Sequence, residues 1–140
     1  MMPVLVQRAW YTRQQLRSQP DCLFAWGDNL VRAGSADNPK SGQAFACRDE
    51  PNAVGMPTKR YPSMRPDAFL SDADFDRVCG EIDAAMDELF AAVRAGRTVI
   101  WPGDGIGTGR AELSSRAPRV WRYLEAYRTD LFAAGEAREI

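Results

Sequence analysis

Short apolar runs alternate along the chain with segments in which apolar residues recur at three- and four-residue steps. The apolar runs predict strands at residues 3–6, 22–26, 53–56 and 97–101. Strands that alternate with helices are typical of a three-layer α/β domain. The pattern therefore predicts one α/β domain that spans residues 1–140, without internal repeats.

Periodic apolar positions and capping residues predict the helices. The clearest helix covers residues 72–95, where Ser71 and Asp74 form an S-x-x-D capping pattern and Gly96 stands at the C-cap position. Thr12 is the predicted N-cap of a short helix that ends at Arg17. Further helices are predicted to open at residues 42–46 and to cover residues 115–132.

Composition narrows the classes of partner. The chain is 45% hydrophobic and 26% charged, which suits an ordinary core, and its net charge is -1. Such a balance provides no overall attraction for nucleic acids or anionic membranes, so we expect no membrane partner and there is no strong case for direct nucleic acid binding. An anionic ligand must be held by local groups. Because no apolar segment has the length of a signal peptide or a membrane span, we expect a cytoplasmic protein.

Cysteine and histidine usage limits the chemistry. The three cysteines are widely spaced, no C-x-x-C pair occurs, and the chain contains no histidine. We therefore expect no disulfide framework, no metal site and no cofactor. Any catalysis would depend on carboxylates, lysine, tyrosine or bound water, because the usual general base is missing.

Two glycine-rich stretches follow predicted strands. WPGDGIGTGRAEL, at residues 101–113, has four glycines in its first nine positions and ends near a helix start, where free amides and the helix dipole favour an anion. Residues 33–42, followed by Gln43 and Ala44, provide a second group of small residues at a helix start. Each stretch could instead be an ordinary turn or surface loop. Together they predict a site for a diphosphate.

The order of these segments resembles a macrodomain. The segments FAWGDN (24–29), SGQA (41–44), PTKR (57–60) and DGIGTG (104–109) stand in the corresponding order around a long helix. The likeness is closest to the branch that removes terminal ADP-ribose from proteins, with its I-T-K strand end and I-G-C-G-L-D-x-L loop, and to a phage and bacterial group with FGDN, GQA, PTK and DGIGTG segments. It implies a three-layer fold with a mixed central sheet flanked by helices, and ADP-ribose in a cleft at the strand ends.

The resemblance also implies which residues contact the ligand. The two glycine loops would hold the diphosphate, and Asp28 and Asn29 would face the distal ribose, although an Asx turn is the alternative role for Asp28. Trp26, Tyr61 or Trp101 could provide an aromatic surface for a base, or belong to the core. The implied ligand-binding residues are Asp28, Asn29, Gly42, Gln43, Ala44, Thr58, Gly105, Ile106, Gly107, Thr108 and Gly109.

Lys59 is the candidate nucleophile by resemblance. In the glycohydrolase branch the corresponding lysine attacks the ribose anomeric carbon, which requires a neutral amine, so burial or the neighbouring Arg60 would have to lower its pKa. The alternative is a solvated lysine or a phosphate contact. Ala111 stands where that branch has its catalytic aspartate. Asp104 and Glu112 are therefore the remaining candidate carboxylates.

Two other functions stay open. PGDGIGTGRAE resembles the P-G-G-x-G-T-x-x-E loop of phosphoribohydrolases that release a base from nucleoside monophosphates, and that likeness implies Glu112 as the catalytic residue. A non-enzymatic module that binds ADP-ribose or an NAD metabolite would need only the loops, an aromatic surface and a few polar contacts.

Overall fold

The computed structural model describes residues 3–35 and 37–140. Five strands form one sheet in these ranges: β1 (Val4–Gln7), β2 (Leu23–Asn29), β3 (Ala53–Lys59), β4 (Val99–Pro102) and β5 (Arg138–Glu139). Their order across the sheet is β3-β2-β4-β1-β5. The chain thus forms an α/β sheet whose central strands are β2, β4 and β1.

The expected mixed sheet is wrong. All pairings between these strands are parallel, including Leu5 of β1 with Ile100 of β4 and Phe24 of β2 with Ala53 of β3. β5 was not predicted because its two residues are exposed and carry no apolar pattern. β5 forms only by pairing with β1, and this tertiary contact cannot be seen in the hydrophobic pattern of the segment itself.

The helices are α1 (Arg13–Ser18), α2 (Ala44–Cys47), α3 (Phe75–Arg94), α4 (Leu113–Arg116) and α5 (Pro118–Ala134). The Thr12 cap is confirmed, since its side chain accepts from the Gln15 amide. Ser71 forms the predicted capping box with Asp74, but on a 3-10 turn, Asp72–Asp74, that precedes α3. The C-cap of α3 is Ala95, and Gly96 follows it with a φ of +80°. The predicted last helix is divided in two. Proline lacks an N–H and suits a first helical position, so Pro118 begins α5 after a non-helical Ala117.

Helices cover both faces of the sheet and give three layers. The larger core contains buried residues of α3, α5 and one sheet face, while α1 and α2 contribute to a second core on the other face. Alternation along β2 shows the division, because Leu23 and Ala25 belong to the larger core and Phe24 and Trp26 to the second. No helix in the described ranges is long and apolar enough to cross a membrane.

Parallel pairing determines where the site lies. β1, β2, β3 and β4 all end at the same edge of the sheet, so the loops that follow them are neighbours in space. In open α/β sheets, ligands bind in the crevice outside the carboxyl ends of the strands. A ligand site is therefore expected among the segments that follow Gln7, Asn29, Lys59 and Pro102.

Candidate functional site

A cleft of about 1150 Å³ opens at the carboxyl ends of the strands. Four strands or the segments after them contribute to its wall, through residues such as Trp10 after β1, Asn29 in β2, Lys59 in β3 and Gly105 after β4. Small-molecule sites are usually concave and have volumes of roughly 300–1,000 Å³. The cleft has room for a ligand of nucleotide size.

Most residues singled out in the sequence line this one cleft. They are Asp28, Asn29, Gly42, Gln43, Ala44, Thr58, Lys59, Asp104, Gly105, Ile106, Gly107, Thr108 and Gly109. Glu112 is not among the lining residues, and its carboxylate pairs with Arg116 at an Nε–Oε1 distance of 3.2 Å. The structure thus brings together both glycine stretches but leaves Glu112 outside the cleft wall.

The loop after β4, residues 103–111, is hereafter the second loop, and it depends on glycine at particular positions. A Cβ on Gly103 would lie 2.9 Å from the Arg8 Cα, so glycine lets this loop approach the segment after β1. Gly107 has a φ of +84°, and a Cβ there would lie 2.7 Å from Leu113 Cδ2. The backbone of the second loop therefore packs closely against Arg8 and Leu113, which the missing side chains of Gly103 and Gly107 allow.

Several amides of the second loop have no hydrogen-bond acceptor in residues 3–35 and 37–140. The N–H groups of Gly103 and Gly105 donate to the carbonyls of Gln7 and Pro102 at 2.7 and 2.9 Å. In contrast, the amides of Ile106, Gly107 and Thr108 donate no hydrogen bond to any described residue. Successive unbonded amides form a concavity suited to an anion.

Residues 33–35 and 37–44, which lead from β2 to the first residue of α2, are hereafter the first loop. Its Gly42 has a φ of +64°, a conformation that favours glycine. The amides of Gly42, Gln43 and Ala44 also have no acceptor among the described residues, and the Gln43 Oε1 is buried without a partner. Residues of both loops that have unbonded main-chain amides thus line the same cleft.

Asp28 and Asn29 line the cleft, but their side chains bind the protein itself. The Asp28 carboxylate accepts from Arg48 Nη1 and Nη2 at 2.8 and 2.6 Å, and from the Asn29 amide at 2.8 Å. The Asn29 side chain donates to the Ala33 carbonyl and accepts from the Ala33 N–H. Thr58 is similarly engaged, since its hydroxyl donates to the Asp28 carbonyl. These three residues shape the cleft wall through hydrogen bonds within the protein.

Lys59 lies at the cleft end of β3. Its ammonium donates to the Ser63 carbonyl and lies 4.6 Å from the centre of the Phe69 ring. Burial lowers the pKa of Lys59, the Glu112 carboxylate opposes this, and the nearby Arg110 and Arg116 guanidinium groups lower it further.

The neighbour expected to act on Lys59 lies elsewhere. Arg60 pairs with Asp74, with an Nη2–Oδ2 distance of 2.8 Å, and the charges that act on the pKa of Lys59 come from other residues. Burial, the other expected cause, is the largest one. Sequence adjacency was therefore a poor guide, because Arg60 follows the end of β3 and its guanidinium pairs with Asp74.

Of the three aromatic residues proposed to contact a base, only Trp26 lines the cleft. Trp101 is 2% exposed and packs edge-on against Phe132, so it belongs to the core, and Tyr61 does not line the cleft. Trp26 lines the cleft but is 4% exposed, with the Arg48 guanidinium 5.0 Å from its ring centre.

Trp10 was missed by sequence reasoning. It lines the cleft and is 61% exposed. Its only local signal is that a large apolar residue stands between a predicted strand and a predicted helix cap, where burial is not expected. An exposed tryptophan in a cleft offers a flat surface to a ligand.

Comparison with known proteins adds one positive finding. No curated protein and no solved structure matches the chain. Residues 6–127 match the family model described as "Family of unknown function (DUF7831)". This range contains both loops and all the cleft residues described above. The chain therefore belongs to the family of unknown function DUF7831.

Proposed function

We propose that the cleft binds ADP-ribose or a related nucleotide diphosphate, with the diphosphate between the first and second loops. The observation that carries this proposal is that two glycine loops, far apart in the sequence, line one cleft, and both have main-chain amides without an acceptor in the part of the chain that the structure describes. Amides at such loops suit phosphate oxygens whatever the side chains are, because they present several donors to one anion.

Three further features support a nucleotide over a simple anion. The cleft volume of about 1150 Å³ far exceeds what a diphosphate alone would fill. Trp10 presents an exposed ring against which a base could stack. The cleft also lies at the strand ends, where open parallel sheets bind nucleotides.

The macrodomain resemblance supports ADP-ribose as the particular ligand. The parallel sheet departs from the mixed sheet that the resemblance implies. The proposal therefore rests on the cleft and its loops, and the resemblance contributes only the choice of ligand.

Calorimetric titration of the protein with ADP-ribose, AMP, NAD and pyrophosphate tests the binding. The variant Gly107→Ala places a methyl group where it would collide with Leu113 at a positive φ. We expect it to weaken ADP-ribose binding by about tenfold or more, since such backbone strain costs about 1–3 kcal/mol.

Gly80→Ala is the matched control. Gly80 lies in α3, and a Cβ there would meet no atom within 4 Å. It should bind ADP-ribose as the wild type does. Wild-type protein that binds none of the four ligands, or a Gly107→Ala variant with unchanged affinity, would refute the proposed site.

A second candidate function is hydrolysis of ADP-ribose from a modified macromolecule, and the position of Lys59 favours it. Its amine lies in the cleft wall, and burial makes the neutral, nucleophilic form more accessible. The neutral amine would attack the ribose anomeric carbon, and the bond from that carbon to the macromolecule would break with its electron pair on the leaving group. Asp104, which also lines the cleft, is the carboxylate available to assist water in releasing the sugar.

Release of ADP-ribose from ADP-ribosylated protein tests this step. Lys59→Ala should abolish release, and an active Lys59→Ala variant would exclude the lysine mechanism. Tight binding without release by the wild type would identify a binding module. Turnover of a nucleoside monophosphate would instead favour the phosphoribohydrolase function, for which Glu112 stands outside the cleft wall.

A further inference from the structure

Arg48 follows α2 and forms a largely buried ion pair with Asp28 at the end of β2. Both carboxylate oxygens accept from its guanidinium, at 2.8 and 2.6 Å. The Arg48 side chain is 12% exposed and that of Asp28 is 9% exposed. A bidentate ion pair fixes the relative orientation of its two side chains. Separation of this pair would leave a buried charge without its partner, which is costly.

The same guanidinium binds the backbone at the start of the first loop. Arg48 Nε donates to the Gly34 carbonyl at 3.0 Å, and Nη2 donates to the Ala33 carbonyl at 3.0 Å. Asn29 holds Ala33 as well, through two hydrogen bonds at 2.9 and 3.0 Å. Two side chains therefore attach the start of the loop to β2.

Attachment of Gly34 also restrains the far end of the first loop. A Cβ on Gly34 would lie 3.3 Å from the Ala44 Cβ and 3.6 Å from the Ser41 Cβ, so the two ends of the loop are in contact. The far end carries the unbonded amides of residues 42–44. Arg48 itself lines a separate cavity of about 470 Å³, not the cleft. Its effect on a ligand in the cleft would pass through the loop.

We propose that Arg48 is a positioning residue for the diphosphate site. Through Asp28 and two loop carbonyls it holds the first loop in the conformation that directs its unbonded amides to the phosphate. This inference rests on the proposed function for its ligand. Lysine cannot replace Arg48, because an ammonium is a point charge that cannot reach both carboxylate oxygens and both carbonyls.

The test compares Arg48→Lys with Arg60→Lys. Arg60 also pairs with an aspartate, Asp74, and also donates to a carbonyl, that of Asp67, but does not line the cleft. We expect Arg48→Lys to weaken pyrophosphate and ADP-ribose binding by about tenfold, the equivalent of one lost charged hydrogen bond. Arg60→Lys should leave both affinities unchanged. Equal losses in the two variants would overturn the positioning role.

Amide hydrogen exchange of the ligand-free proteins provides a readout independent of binding. The amides of Ala33, Ser35 and Ser41 donate to Asn29, Ser41 and Asn38 within the loop region. They should exchange faster in Arg48→Lys than in wild type or Arg60→Lys, whereas exchange of Gly103 and Gly105 should not change. Unchanged exchange in Arg48→Lys would contradict the proposal.

A second variant guards against misfolding. If Arg48→Lys does not fold, the double variant Asp28→Asn with Arg48→Gln removes both charges of the pair, and the same exchange and affinity changes are expected. Wild-type protein that binds neither pyrophosphate nor ADP-ribose would refute the proposed function. The exchange comparison would still decide whether Arg48 holds the first loop.

Discussion

Lys59 is the residue whose chemistry depends most on its surroundings. Burial and two neighbouring guanidinium groups favour its neutral form, while Glu112 favours the charged form. A bound diphosphate would add negative charge and restore the ammonium. The amine of Lys59 can therefore act as a nucleophile only if the phosphates of the bound ligand lie away from it.

The first prediction concerns the titration of Lys59. The chain has two lysines, Lys40 and Lys59, so an amine-acylating reagent followed by peptide mass spectrometry reports each one. Because its pKa is lowered, more of Lys59 is neutral at a given pH, and its acylation should reach half of its maximal rate below the ordinary lysine value of 10.5. Half-maximal reaction at or above that value would contradict the lowered pKa.

The second prediction concerns Trp10. Base stacking on an aromatic side chain contributes about 1–3 kcal/mol, so Trp10→Ala should weaken ADP-ribose binding by about tenfold. Pyrophosphate binding should not change, because that ligand has no base. Phe45→Ala is the control, since Phe45 is also an exposed aromatic residue but does not line the cleft. Calorimetry that finds equal effects of both variants would exclude Trp10 as the base contact.

Among the elements, α3 and α5 pack together through a polar contact as well as through apolar side chains. Asp83 of α3 accepts hydrogen bonds from Tyr123 and Tyr127 of α5, at 2.5 and 2.6 Å. These two bonds lower the pKa of the Asp83 carboxyl, since they favour its ionised form. The contact joins the two helices that cover one face of the sheet.

Removal of this contact should destabilise the fold. We expect Asp83→Ala to lower the free energy of unfolding by about 1–2 kcal/mol, because both bonds are partly open to water. The lowered pKa means that the contribution is complete above the ordinary aspartate value of 3.8 and is lost as pH falls through the lower folded value.

Urea unfolding at neutral and acidic pH measures this effect. Asp87→Ala, an exposed aspartate of the same helix, is the control and should have little effect. An Asp83→Ala variant as stable as Asp87→Ala at neutral pH would contradict the predicted contribution.

Local pattern predicted elements well where one face is buried, as in α3, whose buried residues follow its apolar periodicity. It placed the ends of β2 and β3 too early. Both strands continue through polar or proline-containing residues because they pair with each other there, as Asp28 does with Pro57. Such pairing is a tertiary contact, so the apolar pattern of either segment alone does not contain it.

At the scale of the whole molecule, the parallel sheet assembles the site. Since four strands end at one edge, two glycine loops that are distant in sequence line one cleft. The sequence predicted this meeting from the position of each loop after a strand. It did not predict Arg48 or Trp10, because their roles depend on which loops they contact or face in three dimensions.

The direct test of a shared diphosphate site is a titration of isotope-labelled protein with ADP-ribose, followed through backbone amide chemical shifts. If one diphosphate lies between the loops, the amides of Gly42, Gln43 and Ala44 should shift together with those of Ile106, Gly107 and Thr108, at the same ligand concentrations. Shifts confined to one of the two loops, or to neither, would contradict it.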